Sequence, residues 1–534
     1  MRSKDMVKFW FLALFVGIGG GLAAVMFRLG IEAIQTRLYG IPDVTVIESF
    51  SRNIGWYWIV GIPMLGGLVV GVIMHLFTVD GRVRSVSDVI EGAAIKNGRI
   101  EHKVGLASAL SSLVTLSSGG STGREGPVVH LAALIASWIS QRAKVDGVTG
   151  RDLMGCAAAA AVSASFNAPI AGAIFAMEVI LRHFAIRSFA PIVIASIAGT
   201  LINRVWFGDV TEFSLPQANM LEFYVELPAF AILGLCSGLV ATVLMMALYR
   251  ADAWGSFVQH RLGIPIWIKP MVAGALLGSL ALSFPHIIGV GYETTSAALT
   301  GKLVFHEAMV FAVLKAVAVT ITMSGRMGGG VFSPSLMIGA LTGLSFGYIA
   351  VSIFPDVSGG ETLYALAGMG AVAAAVLGSP ISTIMIIFEM TGDWQTGLAV
   401  MLAVSLSTAV AAALNHKSFF LAQLARRNVQ VAAGPQAYLL HMFQVESIMR
   451  PVSECAQLDD DALWAVVNKG HGILSKASLG DALPQFEGHQ CEWLPVIEIN
   501  TKDGPPKIIG VLFLVDSLKA YNRALAATAK EEHS

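Results

Sequence analysis

The sequence predicts an all-α polytopic membrane protein, built from broken and tilted helices in two related halves and followed by a small α/β tail. Three observations predict it. Of 534 residues, 55% are hydrophobic and only 13% charged, well below the ~25% charge of soluble domains. Long stretches are almost free of charge: between Val104 and Ser140 only Arg124 and Glu125 are charged, between Met327 and Pro355 no residue is, and Trp394 to His416 has only the histidine. Finally, short motifs built on glycine and proline recur in the same order in the two halves of the apolar region.

Taken in chain order, Arg2, Lys4 and Lys8 precede an apolar stretch from Phe9 to Phe27, which continues into more sequence of the same kind. It is read as an uncleaved first span. The uncharged runs are long enough to cross a hydrocarbon core of ~30 Å. Within the region from Lys8 to Leu421, apolar segments are broken at Ser117 to Gly123, Ser163 to Pro169, Ser324 to Pro334 and Gly378 to Pro380. Such breaks at membrane depth survive only where protein encloses the exposed backbone. Arg426 and Arg427 end the apolar region and, with the basic residues near the start, put both termini on the cytoplasmic side. Composition then becomes that of a soluble domain, so a boundary is drawn at residue 427, with the tail running over 428–534.

The breaks are paired. Pro169 to Glu178 and Pro380 to Glu389 each follow a small residue with proline, an apolar helix, and glutamate nine positions later. Gly123, Arg124, Glu125, Gly126, Pro127 and Gly330, Val331, Phe332, Ser333, Pro334 each put proline four residues after glycine; the two pairs are offset by 211 and 207 residues. Interrupted segments at matching places in two halves mark a transporter whose site lies at their interface. A helix that starts at such a loop exposes its first N–H groups, and its dipole attracts anions. Amide donors replace part of an anion's hydration without a full charge that would trap it.

Glu125 is the most informative residue, because a carboxylate at a helix start in an apolar segment is costly unless paired or functional. Deprotonated, it competes with an anion for the helix start; protonated, it swings aside. The alternative for it is a salt bridge to Arg124. Glu178 and Glu389 close their helices and are read as structural, and His130 as a hydrogen-bonded helical histidine.

Gly123-Arg124-Glu125-Gly126-Pro127, Gly329 to Ser335, Phe166-Asn167-Ala168-Pro169 and Phe388-Glu389-Met390-Thr391 together resemble the signatures of the CLC chloride channels and chloride/proton exchangers. The resemblance covers Leu65 to Arg427. It implies two inverted repeats with about 18 helices, a homodimer with one pore per subunit, and chloride or other small anions held at helix ends in the plasma (inner) membrane. By position it makes Glu125 the gating glutamate and assigns anion binding to Ser85, Arg124, Glu125, Gly126, Val331, Phe332 and Phe420. Three departures accompany it. Ser85 keeps the serine of an otherwise lost motif, Phe420 replaces a tyrosine hydroxyl donor, and Val179 replaces the inner, proton-delivering glutamate of exchangers. Valine relays no proton, which points to passive, glutamate-gated chloride conduction; a proton that reaches Glu125 through water or another carboxylate makes the chain a chloride/proton antiporter instead.

In the tail, Val445 to Pro451, Trp493 to Ile497 and Ile509 to Asp516 resemble a single CBS unit, and their alternation of apolar residues supports strands. The resemblance extends to adenine-nucleotide binding there, against which stands a dimerising or merely solvated tail. No other cofactor and no metal is expected: Cys156, Cys236, Cys455 and Cys491 lack ligand spacing and are read as structural thiols. A net charge of -1 excludes nucleic acid as a partner. No His/Asp/Glu grouping and no Gly-x-Ser-x-Gly elbow supports an enzyme. A receptor or scaffold that transports nothing is the reading from another class, and the carboxylate of Glu125 discriminates against it.

Overall fold

A computed structural model describes residues 3–40, 55–184, 186–209, 213, 225–355, 359–429, 431, 440, 443–455, 460–468, 470–475, 477–489, 491–498 and 507–532. It separates into two compact units, one of residues 1–93, 98–181 and 189–430, the other of 94–97, 182–188 and 431–534.

The larger unit is helical. Its helices are α1 (Ser3–Tyr39), α2 (Trp56–Phe77), α3 (Val86–Ile95), α4 (His102–Ser117), α5 (Glu125–Ala143), α6 (Gly147–Phe166), α7 (Pro169–Phe175), α8 (Ile186–Phe207) and α9 (Leu227–Leu262). There follow α10 (Lys269–Ser283), α11 (Tyr292–Leu299), α12 (Phe305–Ser324), α13 (Phe332–Ile353), α14 (Glu361–Leu377), α15 (Pro380–Thr391), α16 (Trp394–Asn415) and α17 (Phe419–Ala425). Among the described residues, 8 helices are long and apolar enough to cross a membrane. The first runs past the expected Phe27 to Tyr39 because Arg28 to Leu38 holds no proline and only one glycine, Gly30.

Small residues let these helices approach at backbone distance. Gly339, Gly343 and Gly347 lie four apart on one face of α13, and a Cβ on them would press on Gly368, Tyr364 and Glu361 of α14. Gly274 and Gly278 of α10 meet Pro63 and Val60 of α2 in the same way. This is the small-xxx-small packing of helices that have no hydrophobic drive to associate in lipid.

The paired helices α7 and α15 cap each other. Glu178, in the π-helical segment Ala176–Leu181 that extends α7, accepts hydrogen bonds from the Ile381 and Ser382 amides at 2.9 and 2.8 Å. Glu389 of α15 accepts from Ile170 and Ala171 at 2.9 and 2.7 Å. Each carboxylate thus meets the positive start of the matching helix, where its charge is stabilised. Both are structural, as their positions predict.

The smaller unit holds a four-stranded sheet of β1 (Arg450–Pro451), β2 (Ile473–Leu474), β3 (Trp493–Glu498) and β4 (Lys507–Phe513) in the order β1-β4-β3-β2. β3 pairs antiparallel with β4 and parallel with β2. With α19 (Leu479–His489) and α20 (Leu514–Glu532) it encloses a core of Val445, Leu479, Phe486, Leu494 and Leu512, while α18 (Asp460–Asn468) sets Leu463 in a second cluster with Cys455 and Val511. Arg450 is tied to Asp516 at 2.7 Å, and that carboxylate holds the guanidinium pKa above its ordinary value.

Candidate anion pathway

The two glycine loops meet. Gly123 and Gly330 form an antiparallel bridge, the Gly123 amide donating to the Gly330 carbonyl at 2.7 Å and the Gly330 amide to Gly123 at 2.8 Å. Thr122 Oγ1 donates to the same Gly330 carbonyl at 2.8 Å. Gly329 has φ +143, a conformation few side chains tolerate. The bridge consumes the glycine amides, so the free donors belong to the first turns of α5 and α13 beyond it.

Glu125 opens α5 and is 3% exposed. Its Oε1 accepts a short hydrogen bond from the Ser333 hydroxyl, and the Ser333 backbone amide faces the same carboxylate. Oε2 has no hydrogen-bond partner among the described residues. A glutamate of one repeat therefore lies on the helix start of the other, where an approaching anion would be held.

Glu125, Gly126, Val331, Phe332 and Phe420 line one cavity of about 10 Å³, with Val86, Val129, Val162 and Phe175 as its apolar walls. That volume is about one water-sized sphere, so with the carboxylate seated there is no room for a chloride. Phe332 packs on Phe166 and Phe175 with ring centroids 4.8 and 6.1 Å apart. Phe420, at the start of α17, is buried and presents an aromatic ring where the resemblance expects a hydroxyl. Ser85 is adjacent: its hydroxyl sits 2.6 Å from the point a Cβ on Gly126 would occupy.

Arg124 differs from the other expected residues. It caps α5, and its side chain leaves the cavity, with Nη2 3.5 Å from the Ser165 carbonyl and the guanidinium 5.4 Å from the Tyr292 ring centroid. Val179 is buried in the π-helical segment beside Glu178. His130 contradicts its expected bonding. It is 1% exposed, and neither ring nitrogen has a hydrogen-bond partner among the described residues.

Three features escaped sequence reasoning. Ser333 stood inside a quoted motif, yet only the fold aims its hydroxyl at Glu125. Asp88 is held by Arg427 Nη1 at 2.9 Å, by Arg82 Nη2 at 3.3 Å and by the Ser85 amide at 2.9 Å, and Arg427 Nη2 also donates to Ser87 at 2.7 Å. No spacing rule links positions 339 residues apart. Lys315 is fully buried in α12 and donates to the Gly289 carbonyl at 2.8 Å; an intramembrane lysine was itself a signal of function.

The sequence profile described as voltage gated chloride channel matches residues 66–412. The chain belongs to that family. As a CLC protein it is an integral membrane protein of chloride transport, and its fold class is the family's. It is 29% identical over 430 residues to a putative chloride channel protein, ClcB-like, of Ralstonia nicotianae, covering 80% of this chain and 99% of the relative. The fold resembles that of a slow cyanobacterial Cl-/H+ antiporter, with TM-score 0.69, 20% identity and coverage of 79% of this chain and 98% of the other. It also resembles a eukaryotic CLC transporter, with TM-score 0.67 and 17% identity, over 96% of this chain and 98% of the other.

Proposed function

We propose that the chain is a passive chloride channel whose pore passes the paired starts of α5 and α13 and is gated by Glu125. One observation carries the reading: the Glu125 carboxylate lies against Ser333 at the start of α13, an anionic group in an anion's place. Seated, it blocks the cavity; neutralised by a proton, it loses the attraction of the helix start and yields to chloride. The amides of Arg124, Gly126, Val331 and Phe332, the Ser85 hydroxyl and the Phe420 ring edge would line the path. Val179 supports passive conduction, since it offers no proton site. Transport would need no cofactor.

A second reading, chloride/proton antiport, is favoured by Asp88, a carboxylate 12% exposed that lies next to Ser85 and could serve where Val179 cannot. By the basic residues at both ends of the apolar region, the Arg427 end of the pathway and both termini face the cytoplasm of a plasma (inner) membrane. Two copies, each with its own pore, would form the functional protein, with the 428–534 tail as a dimerising or solvated unit that needs no adenine nucleotide.

The test is Glu125→Ala in reconstituted liposomes. The variant should conduct chloride at neutral pH at least about tenfold faster than the parent, because removing the seated charge relieves about 1.4 kcal/mol or more of block. Unchanged chloride flux would remove Glu125 from the gate.

A further inference from the structure

We infer that Asp88 is a built-in counter-ion at the Ser85 end of the pathway: it occupies donors that would otherwise hold an anion there, and so keeps chloride loosely bound. Asp88 is thus a positioning residue that acts through Ser85 and its neighbouring arginines. The inference rests on the reading that the path passes Ser85.

The first residues of α3 border the pathway. Val86, which opens the helix, is a wall of the cavity that also holds Glu125 and Gly126, and the Ser85 hydroxyl lies 2.6 Å from the point a Cβ on Gly126 would occupy. The starts of α3, α5 and α13 therefore meet at one cavity, and each attracts negative charge. The α13 start is met by the Glu125 carboxylate at Ser333. The α3 start is met by Asp88, whose Oδ2 accepts from the Ser85 amide at 2.9 Å while its own amide donates to the Ser85 carbonyl at 3.0 Å.

The surroundings of Asp88 exceed those of a helix cap, which needs only an acceptor for a backbone amide. Its Oδ1 also faces Arg427 Nη1 at 2.9 Å, Arg82 Nη2 at 3.3 Å and Arg84 Nη1 at 3.8 Å. Asp80 lies 2.9 Å from Arg84 and 3.9 Å from Arg82, and Glu91 3.4 Å from Arg427. Three cations thus stand against three carboxylates, and the most open of the arginines, Arg82, is 29% exposed. Donors remain in excess, since Nε of Arg82 and of Arg427 are buried without a hydrogen-bond partner among the described residues. Without the Asp88 charge, one guanidinium is uncompensated beside a freed helix-start amide, a donor set suited to a small anion. A conducting path requires that its anion also leave readily, and Asp88 meets that requirement by taking the anion's place.

The test measures chloride conductance against symmetric chloride concentration in liposome patches, with Asp88→Asn, Asp88→Ala and Glu91→Gln each placed in the Glu125→Ala protein so that gating does not enter. Both Asp88 variants should lower the half-saturating chloride concentration about tenfold, the factor that one charge-assisted hydrogen bond represents, and lower the maximal conductance with it. Asp88→Asn keeps the shape of the side chain and serves if Asp88→Ala does not fold. Glu91→Gln removes an equal charge beside the same Arg427 but leaves the Ser85 amide engaged, and should keep the half-saturating concentration near that of Glu125→Ala alone. No shift in the Asp88 variants would overturn the inference, and so would an equal shift in Glu91→Gln, which marks a general effect of charge. The path itself is read separately from Ser85→Cys exposed to a charged thiol reagent, with the parent protein as control. Current left unchanged by modification means that the path misses Ser85 and both readings fall; blocked current with unshifted Asp88 variants overturns the inference alone.

Discussion

At the residue scale, Ser333 is the latch of the proposed gate. Its hydroxyl and amide both address the Glu125 carboxylate, and a hydrogen bond to a charged group contributes about 1.5–3 kcal/mol. Ser333→Ala removes the hydroxyl but keeps the amide. It should raise the open fraction at neutral pH roughly tenfold, seen as a larger single-patch chloride conductance; conductance equal to the parent's would mean that the latch holds nothing. Phe420 governs a different property. Phe420→Tyr adds a donor inside a cavity of about 10 Å³, and a donor favours the anion with the more concentrated charge. Chloride should gain over nitrate in bi-ionic reversal potentials, and an unchanged ratio would remove Phe420 from the pathway. The sequence revealed Glu125 because a carboxylate in an apolar run is conspicuous. It hid the orphaned ring of His130, since partnering is a property of the surroundings rather than of the residue.

At the scale of elements, the repeats were legible because proline, glycine and glutamate recur at fixed spacing, and those residue types do backbone work. What spacing did not convey was their joining: that Gly123 and Gly330 pair, and that Glu178 caps α15 while Glu389 caps α7. Both are contacts between halves, and symmetry of sequence carries no distance. The glycine row of α13 links packing to the pathway, because the same helix presents Phe332 and Ser333 at its start. A Cβ on Gly343 would overlap the Tyr364 carbonyl, and overpacking of this kind costs about 1–3 kcal/mol. Gly343→Ala should lower the thermal midpoint of the detergent-solubilised protein and reduce chloride flux together. A variant with unchanged stability and flux would show that the α13–α14 approach is not needed.

At the scale of the whole molecule, the composition shift near Arg427 separated an apolar region from one of soluble character, and the described residues form two units. Strands form at Trp493–Glu498 and Lys507–Phe513, in the stretches read as strands in the tail, but each buries three consecutive residues rather than alternate ones. Transport is assigned to the larger unit alone: all the residues proposed to line the pore lie between Ser85 and Phe420. Channel and antiporter share that architecture and differ only in whether a proton must cross for each turnover, which no helix boundary encodes.

The measurement that bears most directly on the central claim is the simultaneous recording of chloride and proton fluxes in liposomes, with a chloride gradient imposed and the potential clamped by potassium and valinomycin. The account predicts chloride movement without coupled proton movement, increased by Glu125→Ala. Uphill proton transport driven by the chloride gradient, abolished in Glu125→Ala, would contradict it and assign the chain to the antiporters.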